Sequence, residues 1–214
     1  MHAAGVSVLT IGHSTHDSEA FVALLQRHGV TEVADVRSSP YSRFNPQFNR
    51  EMLANRLAAN GVEYAFLGQE LGGRPDNASC YENGQVRYDR VRKTLSFQRG
   101  IERIVRDMAE HRIALMCSEK EPLECHRTLL VAQALQAQGV AVEHILADGD
   151  LETHAAAMDR LLTLHDDPQQ EDLFGPRDER IARAIAKQTE GIAYKNKTPS
   201  APSFPHAQIA GQRT

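Results

Sequence analysis

The sequence predicts an α/β fold: a mostly parallel five-stranded sheet with crossover helices, doubly wound or Rossmann-like. Three observations predict it. Short, β-branched apolar runs alternate with segments of helical periodicity, an order that calls for parallel strands joined by crossovers. The hydrophobic share is 41% with only 6% aromatics and no Trp, so the core must be aliphatic. Each polar cluster falls just past a predicted strand, where open α/β sheets bind their ligands.

The first run, Val6 to Ile11, is short and β-branched, as a buried strand should be, and it ends at Gly12-His13. A helix follows from Ser18 to His28, with Phe21, Leu24 and Leu25 on one face and Gly29 as its stop. Glu32 to Val36 is the second strand and runs into Arg37-Ser38-Ser39-Pro40. Asn49 to Asn60 reads as a helix, and Val62 to Leu67 as the third strand. From Gly68 to Thr94 the periodicity fails, and Gly, Asn, Pro and Tyr dominate; a connection this long suggests a functional, irregular insertion. Helical spacing resumes from Phe97 to His111. Then come a strand at Ile113 to Cys117, a helix at His126 to Gln138, a last strand at Val140 to Ala147 and a helix at Leu151 to Leu164. Residues 1–165 thus form a single domain, and 166–214 a polar tail with a short helix near Asp178 to Lys187 and a disordered end.

The totals exclude several classes. No apolar run approaches the ~20 residues needed to cross a bilayer, so no membrane partner is expected. The start, MHAAGVSVLTIGH, lacks a basic region before a long apolar stretch and does not read as a signal peptide. Three Cys make no disulfide framework, and a cytoplasmic location fits best. A net charge of -4 argues against bulk attraction to nucleic acid. Between Arg37 and Arg106, however, eleven Arg and one Lys face seven acids, enough for a local anion site. There is no Gly-rich dinucleotide fingerprint, phosphate loop or Ser nucleophile turn, so neither NAD nor ATP is implied.

The segment IALMCSEKEPLECHRTLLVAQALQ is the most informative. A strand ends at Cys117-Ser118-Glu119, and a short loop with Pro122 leads to Cys125-His126-Arg127 at a helix start. A thiol there meets unpaired N–H groups and the positive end of the helix dipole, and His126 and Arg127 also favour thiolate. Three readings stay open. Cys125 is a nucleophile or redox thiol with Glu119 or His126 moving protons. Alternatively Cys117, Cys125 and His126 bind zinc or iron, with a fourth ligand not evident. In the third, the helix start and Arg127 hold a phosphate or carboxylate. Against these stands the simpler reading of Cys117 as a small buried hydrophobe.

TIGHST at 10–15, DVRSSPYSRFNPQF at 35–48, GVEYAFLGQELGG at 61–73 and CSEKEPLECHR at 117–127 resemble a bacterial and archaeal family catalogued as domain of unknown function 488. The resemblance implies an α/β fold with those segments grouped at one site, and it brings no reaction. It singles out His13, Asp35, Arg37, Pro40, Arg43, Cys117, Glu119, Cys125, His126 and Arg127. On chemical grounds His13 titrates near neutral pH and suits a base, donor or ligand. Asp35, inside a strand, needs a partner such as Arg37 or His13. Arg37, Arg43 and Arg74 offer forked donors to phosphate, while Tyr41, Phe44 and Phe48 suit stacking on a base or packing within the loop.

In the tail, Gln170 to Phe174 reads QEDLF and resembles the peptide by which bacterial repair and replication proteins dock on the DNA sliding clamp. Leu173 and Phe174 would fill an apolar pocket with Gln170 at its rim. The functional expectation is an enzyme acting on a nucleotide, nucleobase or damaged nucleic acid. Its chemistry would rest on Cys125, His126, Glu119 and His13, with anion or substrate contacts from Asp35, Arg37, Tyr41, Arg43, Arg74 and Arg127. The alternatives are a non-catalytic nucleotide- or DNA-binding module and a metal-dependent enzyme or sensor.

Overall fold

A computed structural model describes residues 7–165 and 176–196. The elements in order are β1 (Val8–Gly12), α1 (Ser18–Arg27), β2 (Glu32–Asp35), α2 (Arg50–Ala58), β3 (Glu63–Phe66) and α3 (Gly68–Leu71). A hairpin of β4 (Tyr81–Glu82) and β5 (Gln85–Val86) follows, then α4 (Tyr88–Val91), α5 (Leu95–Asp107) and β6 (Ile113–Cys117). A π-helical segment, Arg127–Ala132, runs into α6 (Gln133–Ala137); β7 (Val142–Ile145), β8 (Leu151–Thr153), α7 (His154–His165) and α8 (Arg177–Ile192) complete the chain.

The main sheet has the order β3-β2-β6-β1-β7-β8, with β3 to β7 parallel and β8 antiparallel at the edge. Central strands β1 and β6 are buried at every position, which explains their unbroken apolar character. Side chains alternate between faces: Leu9, Ile11, Val33, Ala114 and Met116 pack under α1 and α2 with Phe21, Leu25, Leu53 and Leu57. Val8, Ala34, Leu115 and Cys117 share the opposite core with Ile101, Ile104, Leu129 and Leu161. The Asp17 side chain accepts from the Ala20 N–H at 2.7 Å to start α1, and Gly29 at φ 64° ends it.

Six strands replace the expected five because Leu151–Thr153, read as helix from sequence, pairs with β7 before α7 begins. A tight turn through Gly149 at φ 87° permits that pairing. The stretch from Gly68 to Thr94 is also better ordered than expected: α3, the hairpin and α4 bury Leu71, Cys80, Val86, Tyr88 and Val91 in the core. Its elements are too short to show periodicity. The C-terminal helix is longer than its sequence signal, and Tyr194 O accepts from Val86 N–H at 2.9 Å beside the hairpin. Among the described residues no helix is long and apolar enough to cross a membrane. Gln170, Leu173 and Phe174 lie outside the described residues.

Candidate functional site

At the carboxyl end of the sheet lies a cleft of about 420 Å³. Cys117, Glu119 and His126 line its floor, Arg37 and Tyr41 come from the loop after β2, and Tyr194 from beyond α8. Parallel strands point their carboxyl ends the same way, so loops distant in sequence meet there.

Four donors converge at the floor. The sulfurs of Cys117 and Cys125 lie 2.9 and 3.0 Å from the same oxygen of Glu119. His126 Nδ1 is 3.6 Å from the Cys117 sulfur and 3.9 Å from that of Cys125. The other ring nitrogen of His126 is 2.9 Å from the Val36 carbonyl, which accepts only if Nε2 carries a proton; Nδ1 therefore faces the sulfurs. Two protonated thiols could not both be satisfied by one oxygen, so one of them is the better candidate to ionise. Burial works against ionisation of Cys125, but the adjacent Cys117 thiol, Arg127 and His126 outweigh it and hold its pKa well below the ordinary thiol value. Burial and the Cys125 charge push Cys117 and Glu119 up. We place the thiolate on Cys125 and the proton on Cys117.

Arg127 is fully buried and makes no anion site in the cleft. It donates to the carbonyls of Glu119 at 2.6 Å and Lys120 at 3.3 Å, fixing the loop that carries Glu119. No carboxylate forms an ion pair with it among the described residues, so the Cys125 thiolate is the fitting counter-charge. Gly12 explains the glycine of TIGHST: a Cβ there would stand 1.9 Å from the Glu119 carbonyl oxygen. Gly73 lets the chain lie against the His126 ring, where a Cβ would come within 3.0 Å.

A second polar cluster sits beside the first. Asp35, with no exposed surface, accepts from Arg37 Nε at 2.9 Å and Nη2 at 2.6 Å, and from the Tyr64 hydroxyl at 2.7 Å. Arg37 also donates to the Phe48 carbonyl at 2.8 Å and lies 3.2 Å from His13 Nε2. Of five guanidinium hydrogens, four have acceptors among the described residues, and one on Nη1 remains. The His13 ring stacks on Phe48 at 4.3 Å and places Nδ1 2.9 Å from the Ser14 carbonyl. Burial lowers the His13 pKa to about 4. It is therefore neutral at physiological pH, with both nitrogens engaged and none free to act as a base. Asp35 touches no open space and cannot contact a substrate; it holds Arg37.

The remaining arginines divide. Arg74 lines the cleft, its guanidinium 4.5 Å from the Tyr194 ring centre. Arg43 is exposed, stacks on the exposed Phe44 at 5.5 Å and does not line the cleft. The Tyr41 hydroxyl donates to Glu51 at 2.8 Å and its ring edges the cleft. Tyr88, Ile192 and Tyr194 also line it and carried no sequence signal as site residues, since one lies in the aperiodic insertion and two in the supposed tail.

Among known proteins, the family model described as Domain of unknown function DUF488 matches residues 17–134. Neither a curated protein nor a solved structure shows a significant match.

Proposed function

The chain belongs to the DUF488 family, and from that premise we propose that it is a metal-dependent enzyme. Cys117, Cys125 and His126 hold a zinc or iron ion, and Glu119 moves protons beside it. The observation that carries this reading is the convergence of the two sulfurs and His126 Nδ1, with Nε2 anchored on Val36. Ligating imidazoles characteristically donate their other N–H to a carbonyl or carboxylate in this way. A tetrahedral ion with bonds of ~2.3 Å to sulfur and ~2.1 Å to nitrogen separates those donors by about 3.6 Å. The two sulfur–nitrogen distances of 3.6 and 3.9 Å match it. Glu119, on an exposed loop, has room to withdraw slightly and serve as acid or base. Such an ion supplies a Lewis acid open to the cleft.

The cleft walls suit a nucleotide-class substrate. Tyr41 and Tyr194 offer rings to a flat base, while Arg74 and Arg37 line the cleft as cationic donors for an anionic group. Residues 170–174 keep their reading as a clamp-docking peptide, to be tested by binding of that peptide to the clamp. A second reading, a metal-free Cys125 nucleophile, draws on the buried Arg127 without a carboxylate partner.

Elemental analysis of tag-free protein purified without chelators tests the proposal. We expect zinc or iron at this site, with the content falling by about one equivalent in Cys125→Ser. Unchanged metal content would leave only the thiol reading.

A further inference from the structure

We infer that Glu32, Glu63 and His111 form a second divalent-cation site, at the opposite end of the sheet from the cleft, where a zinc-class ion ties β2, β3 and the α5–β6 connection together. It is independent of the proposed reaction centre, sharing no residue with it.

Parallel pairing sets Glu32 directly beside Glu63 on the neighbouring strand. Like charges in that register repel unless a proton or cation lies between them. One donor atom from each of Glu32, Glu63 and His111 lies within 4.8 Å of the others, and Glu32 Oε2 is 3.9 Å from His111 Nε2. The second, independent observation is Glu32 itself. It is only 5% exposed, and its Oε1 is buried with no hydrogen-bond partner among the described residues. A buried carboxylate oxygen left this way costs free energy that a bound cation removes.

The surrounding charges leave the carboxylates available. Glu32, Glu63, Arg103, Arg106, Asp107 and Glu110 line the same hollow of about 320 Å³ together with His111. Asp107 takes both arginines, Arg103 at 3.3 Å and Arg106 at 2.8 Å. No arginine or lysine forms an ion pair with Glu32 or Glu63 among the described residues. Two carboxylates and an imidazole suit zinc, with an open position for water. Tetrahedral Zn–O and Zn–N bonds of ~2.0–2.1 Å put such donors about 3.4 Å apart, so the three donors, now within 4.8 Å of one another, draw in around the ion.

Zinc titration of tag-free protein, read by equilibrium dialysis and by thermal unfolding, tests the site. The double variant Glu63→Gln with His111→Asn changes residues away from the core and should fold. Expected is a loss of about one equivalent of zinc relative to the unchanged chain, together with loss of part of the zinc-induced rise in Tm. In a Cys117→Ser, Cys125→Ser background, zinc binding should persist and then vanish when the double variant is added. A double variant that binds as much zinc as the unchanged chain overturns this inference. Loss of zinc in the double variant with none lost in the cysteine background instead overturns only the metal reading of the cleft.

Discussion

Two polar clusters stand side by side at the carboxyl end of the sheet, and their hydrogen bonding differs in kind. In the Asp35–Arg37–His13–Tyr64 group donors and acceptors match except for one Arg37 hydrogen: a bidentate carboxylate–guanidinium pair, a carbonyl, a phenol and a stacked neutral imidazole. In the Cys117–Glu119–Cys125–His126 group, two sulfurs crowd one carboxyl oxygen while an imidazole nitrogen faces both. Matched groups lock a backbone, whereas converging groups with too few partners accept something from outside. Proximity to the cleft therefore does not make a residue part of its chemistry; the state of its hydrogen bonds does.

The sharpest way to break this comparison is Arg37→Ala. It leaves the Asp35 carboxylate buried and unpaired, so urea unfolding should show a loss of about 3–5 kcal/mol. Arg37→Lys should fall between, because an ammonium cannot make the forked contact. An Ala variant as stable as the parent would mean that the closed cluster is not structural.

A change of pH acts next. Burial lowers His13 and His154 to about 4 and His144 to about 3. Below an unfolded value of ~6.5 the unfolded chain binds more protons at these sites, so their contribution to stability is complete above that pH and declines as pH falls toward the folded values. Glu32 and Glu119, raised mainly by burial, act in the opposite sense, favouring the fold as pH falls. We expect the histidines to prevail, with a net loss on the order of a few kcal/mol on acidification. His13→Gln should flatten the decline, and urea midpoints that do not move between neutral and mildly acidic buffer would contradict it.

Gly12→Ala probes the join between the clusters. Its Cβ would collide with the Glu119 carbonyl, so we expect roughly 1–3 kcal/mol of destabilisation and altered metal content. Normal stability with an intact metal complement would show that the Glu119 loop is freer than its contacts suggest. Cysteine alkylation followed by mass spectrometry carries a smaller energetic effect and more chemical information. A chelator should accelerate labelling of Cys125, whose pKa is held low, while leaving Cys80 and Cys117 slow, since burial raises both of theirs. Equal labelling of all three would remove the distinction between Cys125 and the other two. The smallest effect is expected for Arg43→Ala: stability within about 0.5 kcal/mol and unchanged nucleotide binding. A clear loss of binding would extend the cleft beyond its present walls.

Much of the fold was legible because long-range order left local traces. The all-buried β1 and β6 appear as apolar runs, and α1 and α5 carry periodic faces between capping residues. Cys117, Glu119, Cys125 and His126 were legible as a group because they share one strand–loop–helix segment. Leu151–Thr153 was not, since three residues of strand have no period and only pairing with β7 defines them. Tyr88, Ile192 and Tyr194 were equally hidden: their place in the cleft depends on α8 and the hairpin meeting.

From composition and periodicity alone follow the α/β class, the parallel strands and the end of the sheet at which polar loops gather. Tertiary structure alone decided which motif residues are enclosed and which are presented: Asp35, His13 and Arg127 inward, Glu119, His126 and Arg74 toward the cleft. The reason is physical. Residue type sets what a side chain is able to bond, but whether a partner already occupies it depends on distant segments brought within about 3 Å.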